Sequence, residues 1–439
     1  MFSRSSNRVH NRRAWVARLI AMAAILWSLP AHAQVLPDNL KVPDFLSATA
    51  ARMSALKLPD MVQVHGFATQ GYLNSTGNNN VFGNSSQDSG TFGFREVGLN
   101  ASIQLRPNLL ISAQGLHRHA GVGSQDIRLD YGLVDYKAYS SESSQFGIRL
   151  GRIKNPLGFY NETRDVAHTR PSIMLPQSIY LDRTRNLAMA SDGGHVYGET
   201  RTSKGDFFYQ FGVVMPIVSG PQTEAAVLGS ASSLPGNLTS QVSYIGRGMY
   251  EYDGGRVRLA VSGTQLNIGY DPARAFPGDL RAGSVLFTPV IFSAQYKAER
   301  WSLTSEYAIR HLEYTNFGVS ALNLNFTGES YYFQGIYRFT PKWEGVIRYD
   351  AMYTNRDDRH GSAWAAVNPA TREAHSRFAK DLTTGVRWNV TPAFMLAAEH
   401  HYVNGTAWLA PLDNSGASSP AGNHSQHWHL FAVQGSFRF

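Results

Sequence analysis

Cysteine is absent from this chain of 439 residues, and charge is sparse, since 16% of the residues are Asp, Glu, Lys or Arg. The absence of cysteine excludes disulfide cross-links and thiol chemistry, so stability must come from burial and hydrogen bonding. Long apolar runs are also lacking. The clearest run, Leu19 to Leu29, is about half of the ~20 residues that a membrane-spanning helix needs. If the mature chain enters a membrane, we expect it to do so as strands.

The flanks of this apolar run are those of a secretory signal peptide. Arginines precede the run, and Pro30-Ala31-His32-Ala33 follows it with the Ala-x-Ala pattern of a cleavage site. We therefore predict a signal peptide over residues 1–33 rather than a membrane anchor. The leader holds five arginines and no acid, so removing it lowers the formal net charge from +8 to +3. The charge therefore indicates no nucleic-acid partner.

Sequence motifs of catalysis are missing as well. The chain has no Gly-x-Ser-x-Gly elbow, no His-Glu-x-x-His pattern and no phosphate-cradling glycine loop. Ser425 and His427 lack a third catalytic partner. His427 and His429 share one strand face and could ligate a metal, but we expect them in the lipid headgroup zone. We predict that the protein is not an enzyme and has no cofactor and no metal site.

What the chain has in abundance is alternation of apolar and polar residues. Near its end, Phe431, Val433, Phe437 and Phe439 share one face, and polar or small residues occupy the other. A period of two indicates a β-strand. An amphipathic strand that ends on phenylalanine resembles the last strand of bacterial outer-membrane barrels. The resemblance implies that the barrel-assembly machinery recognises Phe439.

Further upstream, short turns alternate with long polar segments, a pattern typical of a transmembrane barrel with short periplasmic turns and long extracellular loops. We predict an all-β antiparallel barrel of about 16 strands over residues 62–439. A periplasmic segment with a short helix is expected over 34–61, and a helix that plugs the lumen is the alternative. A soluble β-sandwich would show the same alternation, but Trp and Tyr on the apolar faces favour a membrane interface. Predicted turns lie at 105–109, 140–144, 203–206, 253–255, 298–300, 340–342 and 391–393. Predicted loops lie near 74–91, 118–125, 153–194, 216–240, 269–284, 315–325, 355–378 and 405–425.

If the apolar faces contact lipid, seven arginines line the inner wall. Their guanidinium groups stay charged at any relevant pH and bias a pore toward anions. Alternatively, they pair with inward acids and tie the wall together, so we expect a mild preference. The wall arginines are Arg128, Arg149, Arg258, Arg310, Arg338, Arg348 and Arg387. The inward acids are Glu96, Asp130, Glu306, Glu344 and Asp350.

The longest predicted loop, about 153–194, has the most distinctive sequence of the chain. Residues 151–158 read Gly-Arg-Ile-Lys-Asn-Pro-Leu-Gly. Here the sequence resembles the phosphate-selective (O/P type) porin family of Gram-negative outer membranes. The resemblance implies that the loop folds inside the barrel as its constriction and that the protein is a homotrimer. An outer lid is the alternative, and the scarcity of lysine argues against phosphate selectivity. The basic residues of this segment are Arg152, Lys154, Arg164, Arg170, Arg183 and Arg185.

These observations predict an outer-membrane porin that passes small hydrophilic solutes with a mild anion preference. Its partners would be outer-membrane lipid, lipopolysaccharide and possible anionic solutes. Two other classes stay open: an outer-membrane barrel hydrolase, and a non-conducting surface barrel that binds a partner through its loops.

Overall fold

The structure, a computed structural model, describes residues 61–122, 125–228, 236–273, 280–369, 372–414 and 424–439. The predicted signal peptide, 1–33, lies outside these ranges. So does the predicted periplasmic segment, 34–61, apart from Met61. Both stay predictions.

Strands dominate the described chain, and most of the helices are short segments within the long connections. The strands are β1 (Val62–Ser75), β2 (Thr91–Arg106), β3 (Leu109–Ala120), β4 (Gln125–Ser140), β5 (Ser144–Lys154), β6 (Ala190–Thr202), β7 (Gly205–Pro216), β8 (Gly236–Ser240), β9 (Ser243–Tyr252), β10 (Val257–Pro272), β11 (Gly283–Lys297), β12 (Trp301–Thr315), β13 (Asn325–Arg338), β14 (Trp343–Tyr353), β15 (Phe378–Asn389), β16 (Phe394–Gly405) and β17 (His427–Arg438). The α-helices are Arg185–Met189, Pro221–Leu228 and Ser362–Val367. The 3-10 turns are Asn161–Thr163, Ala167–Thr169, Asp182–Thr184, Ser320–Leu322, Arg356–Asp358 and Ala374–Arg377.

These strands form one closed antiparallel sheet. The last strand, β17, returns to pair with β1, with Phe67 opposite Arg438 and Ser75 opposite Leu430. Segments β8 and β9 both pair with β10 and are separated by two residues, 241–242, so they share one position in the wall. The wall therefore has sixteen strand positions, and the predicted sixteen-stranded barrel is confirmed.

Connections of very different length lie on the two rims. Seven connections of two to four residues occupy one rim, which we call the short-turn rim, and they coincide with the seven predicted turns. The longer connections occupy the opposite, long-loop rim. That rim also carries one connection of four residues, 121–124, where a longer loop over 118–125 was predicted. Pro107 and Asn108 form the turn between β2 and β3, as expected from the fixed φ of proline and the turn tolerance of asparagine. Turn chemistry was thus sufficient to place the seven hairpins of the short-turn rim.

The two faces of the wall differ as the alternation predicts. On β2, Val97 and Leu99 are 48% and 56% exposed. Glu96, the residue before Val97 on the same strand, lies on the inner face and is fully buried. On the other side of the barrel, Phe333 and Ile347 are exposed on the outer face. An apolar outer face with a polar inner face is the arrangement of a barrel that is surrounded by lipid. No helix in the described ranges combines the length and the hydropathy needed to cross a bilayer.

Two apolar clusters occupy the interior near the long-loop rim. In the first, Phe82, Met174 and Trp408, which come from three different loops, pack with inward residues at the outer ends of the adjoining strands, such as Leu73. In the second, Leu228 of helix Pro221–Leu228 packs with Leu187, Ile268 and Tyr270. Several loops therefore fold toward the barrel axis rather than out into solvent.

Candidate functional site

Residues 155–189 join β5 to β6 and form the longest connection of the barrel. Thr163 and Thr169 are the exposed members of this segment, which we call the inner loop, and its other residues are buried or half-buried. A lid lying across the rim would leave one of its faces in solvent. This burial, together with the wall contacts below, places the inner loop inside the barrel.

The carboxylate of Glu306 on β12 is the first attachment point of the inner loop. It accepts a hydrogen bond from the backbone N–H of Phe159 at 2.9 Å and another from the hydroxyl of Tyr180 at 2.6 Å. Two wall residues, Ser293 on β11 and Tyr332 on β13, donate hydroxyl hydrogen bonds to the same carboxylate. A fully buried carboxylate needs such donors to offset its desolvation. Glu306 therefore fixes two distant parts of the loop to one point on the wall.

Gly158 makes this attachment geometrically feasible. Its φ is +60°, a backbone conformation that favours glycine, and its N–H donates to Ser262 Oγ on β10 at 2.8 Å. An added Cβ would lie 2.7 Å from Glu306 Oε1 and would also meet the Tyr180 hydroxyl. The glycine of the Pro-Leu-Gly step therefore lets the chain pass close to the wall.

A second attachment lies on β14 to β16. The backbone N–H groups of Ile173 and Met174 donate to the buried carboxylate of Glu399 on β16. Arg348 on β14 donates from Nη1 to Ser172 Oγ at 2.7 Å, and Arg387 on β15 donates to the carbonyl oxygen of Arg170. The inner loop is thus bonded to the wall at two places along the arc of strands from β10 to β16.

A network of buried charges holds the ends of the inner loop. The carboxylate of Glu96 on β2 lies 3.0 Å from Arg118 on β3 and 3.1 Å from Arg170 in the loop. Arg118 also reaches Asp182 at 2.8 Å, and Arg164 lies 3.6 Å from the same carboxylate. Each buried guanidinium in this network therefore has a negative partner, as burial of charge requires.

A neighbouring network ties the start of the inner loop to its end. Lys154 at the end of β5 forms ion pairs with Asp130 on β4, at 2.7 Å, and with Asp165. Arg185 pairs with Asp165 on the other side. Asp165 therefore links both ends of the segment.

The pKa values of loop groups reflect this confinement. Burial, together with the positive charge of nearby Arg185, lowers the pKa of Arg164 to about 9. Burial raises the pKa of Asp182, but the guanidinium groups of Arg118 and Arg164 outweigh burial and hold the pKa below its ordinary value. These charges therefore persist at neutral pH.

Most of the thirteen cations predicted to line the pore have a carboxylate partner. Eleven have a carboxylate oxygen within 4.0 Å: Arg128, Arg149, Arg152, Lys154, Arg164, Arg170, Arg185, Arg258, Arg338, Arg348 and Arg387. The structure gives no such partner to the other two, Arg183 and Arg310, among the described residues. The alternative that the arginines tie the wall together therefore describes most of this set.

Arg152 lies on the outer face of the wall, unlike the other cations of this set. Its guanidinium pairs with Asp192 on β6 at 2.8 Å, and it shares its strand face with the exposed Leu150. The predicted loop begins at about residue 153, so the predicted strand ends near Arg152. Strand β5 in fact continues to Lys154, so strict alternation carries Arg152 outward.

Three residues of the interior were not among the predicted site residues. Arg118 was assigned to a loop, although it lies on β3, and Arg377 lies in a segment without periodicity. Glu399 could have been found, because Met395, Ala397 and Glu399 alternate with lipid-facing residues of β16. Alternation therefore contained the signal for Glu399 but not for Arg377.

His400, His427 and His429 pair with each other or with Tyr402. In the described part of the chain, no group of three potential ligands is placed to hold a metal ion. His400 stacks on His429, with Nε2 3.1 Å from Nδ1, on the outer face. The Nδ1 atom of His427 lies 3.2 Å from the hydroxyl of Tyr402 rather than against Ser425.

Comparisons with known proteins bear on the fold. No protein-family model and no curated protein matches the sequence. OprB of Pseudomonas putida is similar in structure, with a TM-score of 0.56 at 12% identity over 90% of this chain and 97% of that one. An anion-selective porin from Comamonas acidovorans has a TM-score of 0.52 at 13% identity over 86% and 99%. The channel DcaP of Acinetobacter baumannii has a TM-score of 0.51 at 10% identity over 86% and 97%.

At these identities the likeness establishes the fold. It is that of the outer-membrane porins, and it confirms the predicted multi-pass barrel of the outer-membrane type.

Proposed function

We propose that this protein is a porin of the outer membrane, a passive water-filled channel for small hydrophilic solutes with a mild preference for anions. The observation that carries the proposal is the inner loop, which brings basic side chains into a closed barrel whose outer face is apolar. In such a channel the loop sets the size limit, and the charges facing the lumen set the ion preference. No step of chemistry is required of the protein.

The expected preference is mild because the charges nearly balance. Eleven of the thirteen predicted pore cations have carboxylate partners within 4.0 Å, so their fields are largely cancelled at a distance. The surplus comes from Arg183 and Arg310 and from carboxylates that serve two cations each. Examples are Asp130, shared by Arg128 and Lys154, and Glu344, shared by Arg338 and Arg387. Phosphate selectivity, which the resemblance around residues 151–165 implies, is therefore the narrower and less supported hypothesis.

Conductance of the refolded mature protein in planar bilayers tests this function. With a potassium chloride gradient, we expect discrete channels and a reversal potential that favours chloride modestly over potassium. Equal or greater permeability for potassium would refute the anion preference. A folded barrel that produces no channels would refute the pore.

We also propose that the barrel is a homotrimer. Support comes from the ion pair between Arg152 and Asp192 on the outer face. Gly132, which is paired with Arg152, lies near the middle of β4, between Gln125 and Ser140. Charges at mid-depth are costly against lipid, so a second copy that covers this face is the favoured neighbour.

The rest of the outer face would contact outer-membrane lipid and, on the long-loop side, lipopolysaccharide. Phe439, whose backbone bonds to Gly66 at the barrel seam, would be the residue that the assembly machinery reads.

A non-conducting barrel that binds a partner is the second candidate. The two apolar clusters near the long-loop rim favour it, because they fill part of the interior with side chains such as Phe82, Trp408 and Leu228. For this candidate we expect a folded barrel that shows no conductance in planar bilayers. The hydrolase alternative has no comparable support, since the structure, which describes both residues, gives no hydrogen bond between Ser425 and His427 and places His427 Nδ1 3.2 Å from the Tyr402 hydroxyl.

A further inference from the structure

Arg183 and Arg310 differ from the other cations of the interior. Neither has an ion pair among the described residues, and the Nε atom of each is buried without a hydrogen-bond partner there. An uncompensated guanidinium in a confined space is costly. An anion that enters from solution would satisfy it.

The wall places Arg310 and a third arginine, Arg377, close together. Arg310 on β12 is opposite Gly328 on β13, and a Cβ added to that glycine would lie 3.5 Å from Nη2 of Arg310. Arg377 stands over the ring of Phe326, with 5.9 Å between its Cζ and the ring centroid. Phe326 and Gly328 are two positions apart on the same inward face, about 7 Å along the strand. The guanidinium groups of Arg310 and Arg377 therefore lie beside neighbouring inward-facing positions of β13.

Arg183 approaches this pair from the inner loop. It lies in the 3-10 turn Asp182–Thr184, which packs against the helix Pro221–Leu228. The carbonyl oxygen of Val227 on that helix accepts a hydrogen bond from the hydroxyl of Tyr314 on β12 at 2.7 Å. Asp358 is the acid that partly offsets Arg377. Three arginines from a loop, a strand and a second loop therefore lie in one part of the interior, with Asp358 beside Arg377.

Apolar side chains, both aliphatic and aromatic, lie beside these arginines. Leu312 and Tyr314 follow Arg310 on the inward face of β12 and belong to the second apolar cluster. On the other side, Arg377 stacks over the indole of Trp364 at 4.4 Å. A small, strongly hydrated anion gains little from such surroundings, whereas an anion with an apolar body gains burial as well as charge.

We propose that Arg183, Arg310 and Arg377 form a binding site for organic anions, in which the arginines bind a carboxylate and the neighbouring rings contact an aromatic or aliphatic body. Guanidinium forks match the two oxygens of a carboxylate. This inference rests on the proposed porin function, because the site would be the step at which such a solute is selected from the long-loop side.

Isothermal titration calorimetry on the folded full-length barrel in detergent tests the site without relying on conduction. The ligands are benzoate, acetate and inorganic phosphate. We expect benzoate to bind most tightly and to lose at least about tenfold in affinity in the double variant Arg183→Gln/Arg310→Gln, because charge-assisted hydrogen bonds are lost. Arg256→Gln is the matched control, since it removes a charge from an exposed ion pair with Asp253 on the short-turn rim.

Three results would overturn the proposal. They are undetectable benzoate binding by the wild type, equal benzoate affinity in the wild type and the folded double variant, and tighter binding of phosphate than of benzoate. Far-UV circular dichroism confirms that each variant is folded, and Arg310→Lys provides a milder second variant that keeps the charge but loses the fork. We expect Arg310→Lys to weaken benzoate binding less than the double variant does.

Planar-bilayer recordings on the same samples separate this proposal from the porin function. A barrel that conducts but binds benzoate equally well in both forms refutes the site alone. A barrel that binds benzoate through these arginines but does not conduct refutes the porin function alone.

Discussion

The carboxylate of Glu399 on β16 accepts a hydrogen bond from the backbone N–H of Met174 at 3.2 Å, across 225 positions of sequence. Its other oxygen accepts from the N–H of Ile173, and His401 Nε2 lies 3.4 Å from the carboxylate. One wall side chain therefore holds two consecutive peptide groups of the inner loop. The loop is a fixed part of the barrel at this point, so its position depends on individual wall residues.

Replacing Glu399 by alanine should release this part of the inner loop. A hydrogen bond to a charged acceptor contributes ~1.5–3 kcal/mol, so amide hydrogen exchange at Ile173 and Met174 should accelerate by about tenfold to a hundredfold. Hydrogen-exchange mass spectrometry measures this directly. Glu199→Ala is the control, because Glu199 is also a buried wall carboxylate but bonds to Gln145 and Arg201 rather than to the loop. Similar exchange at 173–174 in both variants would show that Glu399 does not hold the loop.

Gly158→Ala should destabilise the barrel more than the same change at another left-handed glycine. Gly254 has a φ of +62°, close to the +60° of Gly158, and an added Cβ there meets nothing within 4 Å. Gly254→Ala should therefore cost only the conformational strain, ~1–2 kcal/mol. At Gly158 the clash with Glu306 and Tyr180 should add ~1–3 kcal/mol. Urea unfolding in detergent micelles compares the two, and equal costs would mean that the close approach at Gly158 is readily relieved.

Alternation and turn chemistry predicted the sheet because both are local. The faces of β2 follow from the period of two in residues 97–105, and Pro107 and Asn108 mark the turn that follows. The error at Arg152 has the same origin. Odd and even positions identify the inner and outer faces only as far as the strand continues. The predicted end of β5 came before its observed end at Lys154.

The partners of the charged residues could not be predicted, because they join residues far apart in sequence. Arg118 and Asp182 are 64 positions apart, and the Glu399 contact to the loop spans more than two hundred. The composition alone indicates near balance of charge, but the closed barrel decides which arginine meets a carboxylate. For this reason Arg183 and Arg310 could be named as candidates from the sequence, yet their lack of a counter-charge could not.

His168 in the inner loop should make stability depend on pH. Burial, together with the positive charges of Arg438, Arg387 and Arg170, lowers its pKa from an ordinary value of 6.5 to about 4. Between these two values the unfolded chain binds a proton that the folded chain does not, so the free energy of unfolding should fall as the pH is lowered from about 6.5 to 4. Urea unfolding at pH 7, 6, 5 and 4 measures the slope, and His168→Gln should reduce it. The same replacement at the exposed His360 serves as the control. An unchanged slope in His168→Gln would assign the acid sensitivity to other groups.

The double variant Arg152→Leu/Asp192→Leu distinguishes a covered outer face from a lipid-facing one. If a second copy covers this face, removing the ion pair should weaken the trimer, because the partner's contacts have formed around charged groups. If lipid covers it, two leucines at mid-depth should instead stabilise the barrel, since charged side chains there cost ~2–4 kcal/mol. Light scattering of the detergent-solubilised protein gives the oligomeric state, and urea unfolding gives the sign of the stability change. Phe333→Leu, which changes an exposed apolar residue on a strand far from this pair, should alter neither quantity appreciably. A monomeric wild type, or a double variant that is more stable and still trimeric, would contradict the proposed interface.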